Sequence, residues 1–233
     1  QTLKLASVIG RNFFHRVLEA ISEAQRNLDS SLAELEHAEL VRRTQQLPEV
    51  EYIFKHALAQ EAAYGSILAE RRRGIHRRVA QAIETLFEDR LDEFTSLLAY
   101  HYTRAEDWDK AQEYLFKAGD QAGRMAADAE ALEHFRQAEA AYLKAFGDKL
   151  SPLQRASLAR KIGAALYGTG HYEQALDQFQ ADRHLAHLRN VIEVDLQARI
   201  ADALDDLGVI AVEALVGHAL VVERRQHQHA GAP

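Results

Sequence analysis

The chain has 233 residues, yet only 12 are glycine and 3 proline; together they are about half of ordinary usage, which excludes a many-stranded β-sandwich or barrel and points to long helices. With 47% apolar and 27% charged residues the composition is that of a chain with a packed core, and the absence of cysteine removes disulfides, thiolate zinc sites and cysteine nucleophiles together. The formal charge of −7 opposes nonspecific attraction to nucleic acid or anionic lipid.

In chain order, Thr2 to Gly10 and Phe13 to Ile21 read as short amphipathic helices, with Gly10 as the stop between them. A third helix, Asn27 to Leu40, carries Leu28, Leu32 and Leu35 on one stripe. The segments 40–44 and 51–54 are the only plausible strands, rich in β-branched or aromatic residues and separated by a stretch containing Pro48. Three short helices followed by a hairpin is the layout of a winged helix, with the hairpin as its wing. From His56 the pattern is continuously helical: either one helix broken near Gly65 or two in succession, the second with Ile75, Val79, Ile83 and Phe87 on one face. Further helices are expected at about 93–105, 108–123, 127–146, 152–168 and 171–188. Ser151-Pro152-Leu153-Gln154 has the form of a capping box with proline in the first turn, and Gly147 closes the helix before it. Beyond Asn190 two more helical stretches are expected, the first ending near Gly208, and RQHQHAGAP reads as a mobile tail.

An internal repeat underlies this parse. Gly163, Leu166, Gly170, Tyr172, Ala175 and Phe179 follow the small-and-aromatic spacing of a tetratricopeptide unit, in which small residues let two antiparallel helices approach and aromatics fill the layer to the next pair. Trp108, Ala111, Leu115 and Ala118 repeat its second half, as do Ala131, Phe135 and Ala138. Ala111 and Ala131 are too close for two complete units of about 34 residues, so the middle units are irregular or share a helix. Gly119 and Gly163 are expected to permit close helix packing. The chain is therefore expected to be mainly α, with a winged-helix-like module over 1–60, linking helices over 61–92, tetratricopeptide-like repeats over 93–223 and a disordered tail over 224–233.

LKLASVIGRNFFHRVLEAI, the leucine-bearing third helix, YIFKHALAQEAAYGSILAERRRGIHRRVAQAIE and the alanine-rich hairpins resemble the C-terminal half of large bacterial signal-transduction ATPases of the STAND class. Those with helical-repeat sensors, often fused to a class III adenylate or guanylate cyclase domain, are the nearest likeness, and it covers about residues 1–180. The resemblance implies a fragment of a longer cytoplasmic protein, lying downstream of a nucleotide-binding domain that would be its partner. The helical repeats would take a second partner, a protein or small ligand. It also implies one site: His56, in FKHAL, stands where related ATPases contact the β-phosphate of ADP. Ala57 departs from the acidic residue that often follows this histidine. ATP or ADP would belong to the full-length parent, with no cofactor in the fragment itself.

Catalytic chemistry is not legible in the chain. The nearest approach to a phosphate-binding loop, GAALYGT over 163–169, has no lysine and falls inside the best repeat. No Gly-x-Ser-x-Gly elbow occurs. The pairs His184 with His187, His227 with His229, and Glu34 with His37 lack further ligands at metal-binding spacing, so no metal site is expected. No apolar run reaches the roughly 18 residues of a membrane span.

The functional expectation is a noncatalytic regulatory and protein-interaction fragment. The alternative is a DNA-binding winged-helix regulator with a helical effector domain. Against it, the third helix has no Lys or Arg between Leu28 and Leu40 and carries Asp29, Glu34, Glu36 and Glu39, which phosphates repel. The basic cluster Arg71-Arg72-Arg73, His76, Arg77 and Arg78 comes later, wraps its helix, and reads as a solvated surface or a contact to the upstream domain.

Overall fold

A computed structural model describes residues 1–22, 27–45, 49–147, 149 and 152–180. The chain opens with α1 (Thr2–Ile9), β1 (Asn12–Phe14), α2 (His15–Ile21), α3 (Leu28–His37), β2 (Val41–Gln45) and β3 (Glu51–Phe54). The strands form one antiparallel sheet in the order β1-β3-β2.

The first strand corrects the sequence reading, which puts Phe13 and Phe14 in a helix and allows only two strands. Phe13 lies directly opposite Tyr52 in the ladder, their rings stacked at 5.6 Å, and Phe54 closes on the same ring at 5.8 Å. All three are buried. Cross-strand aromatic pairing of this kind rewards an extended backbone that local helical periodicity does not reveal. Gly10, at φ 153°, makes the sharp exit from α1, and the bond from the Phe54 N–H to the Arg11 carbonyl continues the pairing beyond β1.

The second strand starts one residue later than expected. Leu40 instead closes α3: Glu39 takes φ 60° and the Leu40 N–H reaches the Leu35 carbonyl at 3.0 Å. Leu28 and Leu32 are buried beneath α3 and Leu35 is half-buried. Between Arg43 and Gln45 the β2–β3 register shifts by a bulge.

Two helices follow: α4 (Ala57–Gly65) and α5 (Ala69–Leu86). Ile75, Val79, Ile83 and Phe87 are all buried, as their spacing predicts. Helix α5 packs against α1 and α2 and against the helix that follows it. A 3₁₀ segment, Glu88–Phe94, replaces the start expected for the helix at about 93. It is held by Phe87 stacked on Phe94 at 4.5 Å, with Phe14 of β1 meeting both rings.

The remaining elements are α6 (Thr95–Arg104), α7 (Trp108–Arg124), α8 (Asp128–Phe146), α9 (Pro152–Gly168) and α10 (Tyr172–Gln180), each packed on its neighbour in sequence. Helix α7 packs against both α6 and α8. Three of the links are alike. Glu106, Ala126 and Gly170 each take a left-handed conformation. After each, an N–H reaches back five residues: Asp107 to Tyr102, Ala127 to Ala122 and His171 to Leu166, at 2.8–3.1 Å.

The two packing glycines behave as expected. A Cβ on Gly119 would stand 2.6 Å from the Phe135 ring, and one on Gly163 would strike Phe179. In both pairs the phenylalanine follows its glycine by 16 residues. Buried residues from Leu5 to Phe179 belong to one continuous hydrophobic cluster. Among the described residues no helix is long and apolar enough to cross a membrane. The Ser151 cap, Pro48, the helix expected to run on to 188, both helical stretches after Asn190, His184, His187, His227, His229 and the tail lie outside the described residues.

Candidate functional site

His56 occupies the N-cap position of α4, two residues past the end of β3, with extended backbone at φ −123° and ψ 123°. Its carbonyl accepts the Ala59 N–H at 3.1 Å, while its exposed imidazole makes no capping hydrogen bond.

The hairpin turns Arg42 and Arg43 outward, both exposed. Arg43 donates to the Tyr52 hydroxyl at 2.8 Å, lies over that ring, and has its backbone N–H on Glu36. The Tyr52 bond raises its already high pKa. Asp29, Glu34 and Glu39 are exposed on and just after α3.

The basic cluster of α5 does not stay together. Arg71, Gly74 and Arg78 face a small hollow beside Gln1 and Ile21, where Arg78 also donates to the Ile21 carbonyl. Arg77 pairs with Asp107 at 3.3 Å. Arg72, Arg73 and His76 face the opposite way, into a cleft of about 670 Å³ between α5 and the faces of α6, α7 and α8.

Helical spacing builds this cleft. Ala69, Arg72, Arg73 and His76 form one face of α5, and Ser96, Ala99, Tyr100 and Thr103 form one face of α6. Trp108 and Leu115 come from α7, and His134 and Gln137 from α8. Arg73 is neutralised by Glu70 and by Glu106 at 3.2 and 3.0 Å. Arg72 sits 4.7 Å from the centre of the Tyr64 ring and Arg104 5.4 Å from that of Tyr100. Neither has a carboxylate partner among the described residues.

Behind the arginines runs a buried chain of hydrogen bonds. The Tyr64 hydroxyl meets His76 Nε2 at 3.0 Å, and His76 Nδ1 meets His101 Nδ1 at 2.9 Å. His76 is 1% exposed and His101 wholly buried. Burial, with Arg104 and Arg72 nearby, holds the His76 pKa down to about 4. Burial and then His76 push His101 to about 3, against a smaller opposing pull from the Ile9 backbone. Both rings are neutral at ordinary pH. Thr103 Oγ1, His134 Nδ1 and His101 Nε2 are buried without a hydrogen-bond partner among the described residues.

Sequence reasoning passes over this cleft. It treats Arg72, Arg73 and His76 as part of a charge that wraps the helix and does not pair His76 with His101. The available signal is the four-residue step from Arg72 to His76 taken together with Tyr100, Thr103 and Arg104 on the next helix; without knowing that α5 and α6 are neighbours, neither pattern points to the other. No group of three or more His, Asp or Glu that could hold a metal ion occurs among the described residues. Glu34 and His37, at ligand spacing on α3, are both exposed. No protein-family model matches the chain, and a search of curated proteins finds no significant match to it.

Proposed function

We propose that the chain is a noncatalytic regulatory and interaction fragment of a signal-transduction ATPase, cytoplasmic, in which a winged-helix module couples an upstream nucleotide-binding domain to a tetratricopeptide-like sensor. The observation that carries this reading is the seat of α5, which packs on α1 and α2 of the sheet-bearing module and on α6 of the helical array. A ligand that shifts α6 therefore has a packed path to the module that would face the nucleotide.

The order helix, strand, helix, helix, strand, strand with sheet order β1-β3-β2 supports the winged-helix part. The recurrent glycine-to-phenylalanine contact supports the repeat part. On this reading His56, exposed at the start of α4, is the residue that would touch the ADP β-phosphate of the parent. The acidic face of α3 favours this reading over a DNA-binding regulator.

Two experiments test it. Residues 1–233 should neither hydrolyse ATP nor form cyclic nucleotide above a buffer control, and turnover by the purified chain would end the noncatalytic assignment. In the full-length parent, His56→Ala should weaken ADP retention; unchanged retention would leave a helical scaffold without nucleotide coupling. Tight, sequence-dependent binding of duplex DNA at physiological salt would favour the rival regulator.

A further inference from the structure

We propose that the cleft between α5 and α6 binds a small phosphate monoester carried on an aromatic body, with the phosphate held between Arg72 and Arg104. The inference deepens the sensor reading and rests on it, by naming the ligand class the array would take.

The first support is charge left uncompensated. Arg73, Arg77 and Arg90 each face a carboxylate within 4 Å, whereas Arg72 and Arg104 face none among the described residues. Each lies instead over a tyrosine ring, a contact that steadies the guanidinium plane and leaves its N–H donors unspent. The two come from different helices, yet both act on the His76 imidazole, so their fields overlap at one place.

The geometry favours phosphate over carboxylate. One guanidinium fork saturates the two oxygens of a carboxylate, whereas a tetrahedral dianion offers oxygens to two forks arriving from different directions. The rest of the cleft suits a ring. Tyr100, Trp108, Ala99 and Leu115 line it, and its volume lies within the roughly 300–1,000 Å³ usual for small-molecule sites. Thr103 Oγ1 and His134 Nδ1, both buried and unpartnered in this wall, would satisfy a polar group on the ligand.

Phenyl phosphate is the probe, titrated calorimetrically into residues 1–233, with inorganic phosphate and benzoate alongside. The expected result is saturable one-to-one binding of phenyl phosphate with Kd at or below about 1 mM, and at least tenfold weaker binding of the other two. Arg72→Gln and Arg104→Gln should each cost a further tenfold. Arg71→Gln, on the far face of α5, should cost nothing. Thr103→Val should weaken binding without lowering the melting temperature, since it removes a hydroxyl that has no partner.

Should either glutamine variant melt early, Arg72→Lys and Arg104→Lys, which keep charge but lose the planar fork, read the same contacts. Absence of saturable phenyl phosphate binding, equal affinity for benzoate, or a loss in Arg71→Gln matching that in Arg72→Gln would each overturn the assignment. None of these touches the coupling reading, which stands or falls on ADP retention by the His56→Ala parent.

Discussion

The Nδ1 atoms of His76 and His101 lie 2.9 Å apart in the buried seam between α5 and α6. One ring must present an N–H there and the other a lone pair, so the contact is broken once both rings are doubly protonated. This fixes a pH dependence. An unfolded histidine titrates near 6.5, well above the folded values, which are about 4 for His76 and about 3 for His101.

Between those limits the unfolded chain binds more protons, and stability rises with pH. The contribution is complete above pH 6.5 and is lost as pH falls toward 4. From pH 7 to pH 5 the loss should be about 2 kcal/mol for each ring. Urea denaturation across that interval measures it, and a flat midpoint would contradict the buried neutral pair.

Gly119 and Gly123 stand one turn apart in α7 and should respond oppositely to alanine. At Gly123 the nearest foreign atom to a new Cβ is the Ala131 Cβ at 3.9 Å, an ordinary contact. Gly123→Ala should therefore gain the helix-propensity difference, about 0.5–1 kcal/mol. At Gly119 the same Cβ would enter the buried Phe135 ring at 2.6 Å. Overpacking of about 1–3 kcal/mol then outweighs the propensity gain. Thermal melts of the two variants that shifted in the same direction would refute the close approach of α7 and α8.

That approach was legible only in so far as Gly119 and Gly163 read as packing glycines, while helical periodicity exposed the buried face of α5; the phenylalanine partners of the two glycines emerge from the fold. Phe13 was not legible, because its partner Tyr52 is 39 residues away and the local pattern resembles a helix start. The cleft was hidden for a related reason. Its arginines and tyrosines are unremarkable one helix at a time, and only the packing of α5 on α6 brings Arg72 and Arg104 to one imidazole. His56, read from a resemblance, lies exposed at a helix start, where the described residues add no partner to interpret it.

Ala126 offers a stabilising substitution. It holds φ 56° in the turn from α7 to α8, a position that its counterpart between α9 and α10 fills with Gly170 at φ 81°. A side-chain-bearing residue pays about 1 kcal/mol for this conformation. Ala126 is exposed and so has little packing to lose. Ala126→Gly should raise the unfolding free energy by about 0.5–1 kcal/mol. Glu106 is a poorer choice although its φ is 54°, because its carboxylate holds Arg73. A drop in the denaturation midpoint of Ala126→Gly would show that the turn is not held in the left-handed form.

Glu84 gathers three donors from two other helices. Tyr102 donates to one oxygen at 2.6 Å, while Tyr114 at 2.6 Å and Lys110 at 3.1 Å donate to the other. Burial alone would raise its pKa, but the bonds from Tyr102, Tyr114 and Lys110 outweigh it and hold the carboxyl below the usual range. Both phenols, through burial and then the bond to Glu84, are pushed above theirs. Glu84→Ala would leave two stacked tyrosines and a lysine without an acceptor, costing about 2–4 kcal/mol. Glu84→Gln keeps one acceptor oxygen but sets an amide N–H₂ against a donor, and should cost less. Tyr114→Phe removes a single bond and should cost about 1 kcal/mol. The carboxylate's own contribution is present above its unfolded pKa, near 4.3, and is lost as pH falls through the lower folded value. Denaturation of the three variants at neutral pH should rank them Ala, Gln, Phe from most to least damaging. A cost for Glu84→Ala no greater than for Tyr114→Phe would mean that the carboxylate does not join α5 to the array.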